Sequence, residues 1–166
     1  MPIPKRSGAT KACLTKILAG VALAFIVAPT GLAQVSVAIK NDQPLSFGSF
    51  VADGGGSVTV GTTGNRSAAG GVVLIPSSLG TAAQFTISGD PHATYTIQLP
   101  GNDFVSLTGS GINMFINNFL STPSNAGGQL GAGGSQALSV GGTLEVGSDQ
   151  ASGSYSGTFS VTVSYN

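Results

Sequence analysis

From residue 153 onward the chain alternates strictly. Tyr155, Gly157, Phe159, Val161, Val163 and Tyr165 fall on one side, and Ser154, Ser156, Thr158, Ser160, Thr162 and Ser164 on the other. A period of two, rich in β-branched and aromatic residues, predicts one long strand with a greasy face and a hydroxylated face. Such a strand is expected at the rim of a sheet, where its free edge invites another strand.

The same pattern recurs upstream in shorter pieces. Val35, Val37 and Ile39 alternate with Ser36, Ala38 and Lys40, and after a turn at residues 41–44 the apolar positions resume with Leu45, Phe47 and Phe50. Asp53, Gly54, Gly55 and Gly56 read as a turn, residues 57–60 as a strand and residues 61–70 as a polar loop. Val72, Val73, Leu74 and Ile75 form a continuous apolar run, as a buried strand would. Residues 85–88 and 94–99 read as a hairpin across Gly89-Asp90-Pro91-His92. Phe104, Val105 and Leu107 predict a further strand, and residues 137–140 and 143–146 two more, flanking Gly141 and Gly142. Many short strands between turn signals predict an all-β sandwich or barrel.

Two stretches read less simply. Ile112, Phe115, Ile116, Phe119 and Leu120 have helical spacing, yet Gly109 and Gly111 precede them, Asn117 and Asn118 interrupt them and Pro123 follows. Met114, Ile116 and Leu120 equally suit one strand face, and the balance favours a strand. Residues 127–135 read as a loop, since six of the nine are glycine or alanine. No internal repeat is evident.

The first 33 residues have the form of an export signal. Lys5, Arg6, Lys11 and Lys16 precede a short apolar run at residues 17–27, and Gly31-Leu32-Ala33 offers a small-residue cleavage site before Gln34. The run is short of the roughly 20 residues that span a bilayer, so no membrane insertion is expected after cleavage. Cys13 leaves with the signal, and residues 34–166 contain no cysteine, hence no disulfide. That portion is expected to form one domain, exported to the periplasm, cell surface or exterior. It keeps only Lys40 and Arg66 against six acids, a net charge of −4 with His92 neutral. The absence of a basic patch argues against nucleic acid as a partner.

Little in the chain suggests chemistry. His92 is the sole histidine, and no serine sits in a nucleophile-elbow context. One histidine without cysteine cannot supply a typical zinc site, and the acids are scattered singly, unlike calcium ligands. The glycine clusters lack the lysine of a phosphate-binding loop. Asn65-Arg66-Ser67 matches the glycosylation triplet and marks a surface loop. No enzyme activity, metal or cofactor is expected.

Leu45-Ser46-Phe47-Gly48-Ser49-Phe50, residues 141–147 and residues 154–166 resemble signature segments of a bacterial exported family catalogued as domain of unknown function 4402. More distantly, penultimate Tyr165 and Gly153, fourteenth from the end, resemble the final strand of chaperone–usher-type pilins. That resemblance implies an immunoglobulin-like antiparallel β-sandwich, pilin-like, in which a missing strand leaves a groove filled by strand addition. Phe159, Val161, Val163 and Tyr165 would border the groove. The implied partners are a periplasmic chaperone, an usher and like subunits of a fimbrium. Val35, Val37 and Ile39 are either a donor segment or part of the first core strand. The expected role is a structural subunit of a surface appendage. The alternative is a self-complete secreted module binding glycans or matrix, with Tyr95, Phe104 and Phe119 as a candidate aromatic platform.

Overall fold

The computed structural model of the protein describes residues 36–166. The expected export signal, its cleavage point, Gln34 and Val35 lie outside the described residues. Ten strands follow in order: β1 Ala38–Gln43, β2 Phe50–Val60, β3 Arg66–Leu74, β4 Ala83–Ser88, β5 Thr94–Gln98, β6 Val105–Leu107, β7 Met114–Thr122, β8 Gly128–Gln129, β9 Ser135–Val146 and β10 Thr162–Tyr165. No helix occurs among the described residues. The fold is all-β, with two sheets in a sandwich-like arrangement.

The larger sheet runs β1-β4-β9-β2-β3, with β7 also paired to β9 and β6 to β7; the smaller runs β10-β5-β8. Every recorded pairing is antiparallel. β9 organises the larger sheet. Its first half pairs with β4, placing Val140 opposite Ala83, and its second half pairs with β2, placing Leu144 opposite Val58. Along its other edge β7 sets Ile116 against Leu144. Gly141 and Gly142 lie where β9 passes from one neighbour to the other, and a methyl on Gly141 would strike the Val60 carbonyl.

The apolar positions divide into two clusters. One joins Val58, Val60, Val72, Met114, Ile116, Leu144 and Val146, with Phe47 and Val105. The other joins Phe85, Ile87, Leu138 and Val140 of the larger sheet with Tyr95 and Ile97 of the smaller, and Leu130. Each fully buried aliphatic side chain contributes about 1.5–3 kcal/mol. Leu45, Phe119 and Phe159 touch both clusters. The three-stranded sheet covers the second cluster. The first is overlaid largely by the irregular segments around Phe47 and Tyr155.

Several expectations change. Residues 85–88 and 94–99 form strands but no hairpin: β4 lies in the larger sheet and β5 in the smaller. Their connection crosses the sandwich because both strands bury alternate residues in the same core from opposite sides. Asp53 to Gly56 is not a turn but a bulge within continuous β2, between the Ala52–Val72 and Gly56–Gly70 pairs. Residues 137–146 belong to one strand, not two. The polar loop after residue 60 closes by Asn65, since β3 begins at Arg66. Phe104 precedes β6 and is 85% exposed.

The ambiguous stretch is a strand, β7, with a bulge at Asn118 (φ 49°) between the Asn117–Thr143 and Leu120–Gly141 pairs. Beyond the bulge the faces exchange, so Phe119 turns inward and Leu120, expected on the core face, is exposed. The asparagine pair stabilises this geometry. Asp103 N–H donates to Asn117 Oδ1 at 2.9 Å, and Asn118 N–H donates to Asn102 Oδ1 at 2.8 Å. In the glycine-rich stretch, Leu130 is buried and β8 pairs with β5.

The Tyr95 hydroxyl is buried without a hydrogen-bond partner among the described residues. An unsatisfied buried hydroxyl costs about 1–3 kcal/mol, so Tyr95→Phe should raise stability by about 1 kcal/mol in chemical denaturation. Burial also raises the phenol pKa above its ordinary 10.0. The unfolded chain therefore loses that proton first, and stability that is full below pH 10.0 falls as the pH climbs past it. The phenylalanine variant should lack this contribution to the alkaline decline.

Candidate strand-accepting groove

A cleft of about 780 Å³ opens over the first cluster. One lip is the stretch from Leu45 to Ala52 and the other runs from Gln150 to Phe159; Val105, Leu107, Met114, Ile116 and Leu144 form the floor. No Asp, Glu, Lys, Arg or His lines it. The main chain along both lips has spare pairing capacity. At Phe50, Val51 and Ala52, β2 is bonded to β3, but its opposite edge is unpaired because β9 joins β2 only from Gly56. Across the cleft, Ser156 makes a two-bond bridge with Thr108. Residues 157–160 make no main-chain hydrogen bond among the described residues, despite their strand-like alternation.

The first lip is held from behind by Arg66. Its Nη1 donates to the carbonyls of Phe47 (2.7 Å) and Ser49 (3.0 Å), and its Nη2 to that of Ile75 (2.8 Å). Ser49 N–H also donates to Ser78 Oγ at 2.8 Å. Hydrogen bonds from a charged donor contribute about 1.5–3 kcal/mol each when buried. Arg66→Met, which keeps the stem and removes the donors, should cost about 2 kcal/mol, discounted for partial exposure. The loss is checked by denaturant titration, with faster amide exchange at Ser46 and Ser49.

The expected long terminal strand is shorter than the alternation implies: only Thr162–Tyr165 is β10, paired with β5 at the edge of the smaller sheet. The expected groove residues part company accordingly. Phe159 lines the cleft and packs against Phe119 (5.2 Å between ring centroids) and Phe85 (6.3 Å, edge-on). Val161 and Val163 pack on the second cluster beyond the cleft. Tyr165 accepts a hydrogen bond at Oη from Asp90 N–H at 2.8 Å.

Val35 lies outside the described residues. Val37 and Ile39 pack on the second cluster, and Ile39 stands opposite Ile87 in the β1–β4 ladder. Asp42 anchors this strand, accepting from Lys40 (2.7 Å) and Thr86 (2.6 Å). Those two bonds hold its carboxyl below the usual carboxylate range.

In sequence the floor residues read as ordinary core, and the first lip stands out only as a segment resembling a family signature, with no site assigned to it. The other candidates do not converge on a site. His92 is exposed in its turn, and its carbonyl accepts from Gln129 Nε2 at 2.9 Å. Among the described residues no three His, Cys, Asp or Glu gather as metal ligands. The three candidate platform aromatics do not form one, since Tyr95 is buried and Phe119 is half-buried against Phe159.

A family model described as Domain of unknown function (DUF4402) matches residues 37–165. The chain belongs to that family. The match takes in every strand, both lips of the cleft and its floor. No curated protein and no solved structure matches the chain.

Proposed function

We propose that this DUF4402 domain is an exported, non-enzymatic structural subunit, pilin-like and of immunoglobulin-like design, which joins a bacterial surface appendage by receiving a β-strand. The observation that carries this reading is the uncharged cleft between two lips with unpaired main chain. In strand addition the backbone ladder supplies affinity and alternate side chains fill pockets. The cleft offers both elements: free backbone groups at Phe50 to Ala52 and at residues 157–160, and an apolar floor of Leu107, Met114 and Leu144. A periplasmic chaperone and an usher are the partners such a subunit would meet during assembly.

The test is thermal. An uncharged peptide alternating valine with serine or threonine, at about a hundredfold excess over its dissociation constant, stabilises its acceptor by about 2.7 kcal/mol. The melting temperature should rise on the order of 10 °C. Thr158→Asp, which sets a charge on an exposed part of the lip, should remove the rise without lowering the basal melting temperature appreciably. No rise with the unmodified protein, at any peptide concentration, would sink the proposal.

A further inference from the structure

We infer that this domain accepts a strand but does not donate its β1, so that the occupant of the cleft is an uncharged, apolar-alternating segment of a different polypeptide. This deepens the strand-addition reading above and rests on it. The reason lies in β1. The only described segment with donor-like alternation ahead of the core, Val37 and Ile39, is already engaged in its own domain. Ala38, Ile39, Lys40, Asn41 and Gln43 pair with β4. To donate this segment, a second copy would have to break that ladder, give up the bond from Thr86 to Asp42 and uncover the core on which Val37 and Ile39 lie.

The apolar side chains of β1 are already committed to the second cluster of their own domain, and Lys40 and Asp42 on its other face satisfy each other there. A filled cleft would give residues 157–160 the main-chain partner they lack, extending β10 upstream into the longer strand that the alternation encodes. With β1 engaged at home, residues 36–166 fit the end of an assembly, where a subunit receives a strand from its neighbour and does not pass on its own.

The test uses the protein expressed from Gln34, the residue after the expected cleavage site. Sedimentation from micromolar to millimolar concentration should show a monomer throughout. A peptide of residues 34–44 should leave the melting temperature unchanged, while the uncharged valine–serine peptide raises it. A companion variant, Ala38→Cys with Ser88→Cys, joins two directly paired residues and locks β1 to β4. It should bind the valine–serine peptide as the parent does. Stabilisation by the 34–44 peptide, or concentration-dependent assembly that the disulfide abolishes, would overturn the inference while leaving strand addition intact. Failure of both peptides would remove the strand-addition reading, and this inference with it.

Discussion

Gly71→Ala should be among the most damaging single substitutions in the domain, costing about 4 kcal/mol or more. Gly71 is the one β3 residue that faces the bulge of residues 53–55, and its ideal methyl position overlaps the Asp53 carbonyl oxygen. The obstacle is backbone, not a flexible side chain, so neither strand can relax without breaking the ladder. Val72 beside it and Val58 and Val60 further along β2 are buried, which prevents a rigid shift of either strand. Gly54→Ala, in the same bulge, is the control. Its φ is +81° with open space around the position, so it should cost only the left-handed strain, about 1–2 kcal/mol. Denaturant titration of the two variants distinguishes the cases, and equal losses would refute the close-approach account. Against a total stability that is typically about 5–15 kcal/mol, that loss removes a large part of the margin and should lower the melting temperature by on the order of 10 °C.

Phe159→Ala should cost about 3 kcal/mol, at the lower end for a phenylalanine because the side chain is only half-buried. Phe159 touches both apolar clusters, and its ring meets Phe85 edge-on and Phe119 at a tilt. Such aromatic pairs add about 0.5–1.5 kcal/mol beyond the area they bury. A double-mutant cycle with Phe119→Leu should therefore return a coupling of about 1 kcal/mol. Additive losses would mean that the rings are neighbours without mutual stabilisation. Phe159 also closes one end of the cleft, so its removal should weaken peptide binding beyond what the lost stability explains. That difference is read by titrating peptide into the variant well below its melting temperature.

Strand content was legible because alternation survives wherever one strand face is buried. Ile87, Tyr95, Ile97, Leu138 and Leu144 all sit where the period places them. What failed was the meaning of glycine and of short connections. Gly54, Gly55 and Gly56 look like a turn because positive φ serves turns and bulges alike, and only strand pairing decides between them. The connection of residues 89–93 is short enough for a hairpin, yet the burial needs of Ile87 and Tyr95 drew the two strands into different sheets. The Asn117-Asn118 pair did carry a usable signal. Asparagine tolerates the left-handed region better than most residues, so a doublet in a strand-like run can mark a bulge. The cleft itself was opaque. Its walls come from four stretches distant in sequence; of these only Phe159 is expected at a groove, and the floor residues look like plain hydrophobic core until the fold gathers them.

The way Arg66 is anchored has a corollary for durability. Past residue 33 a trypsin-like protease could cut only after Lys40 or Arg66. Both stand within hydrogen-bonded strands, and the second keeps its guanidinium on three carbonyls. Scission must therefore wait for local opening of the native state, so scarcity of cationic residues serves here as the armour that cross-links give to many other small domains.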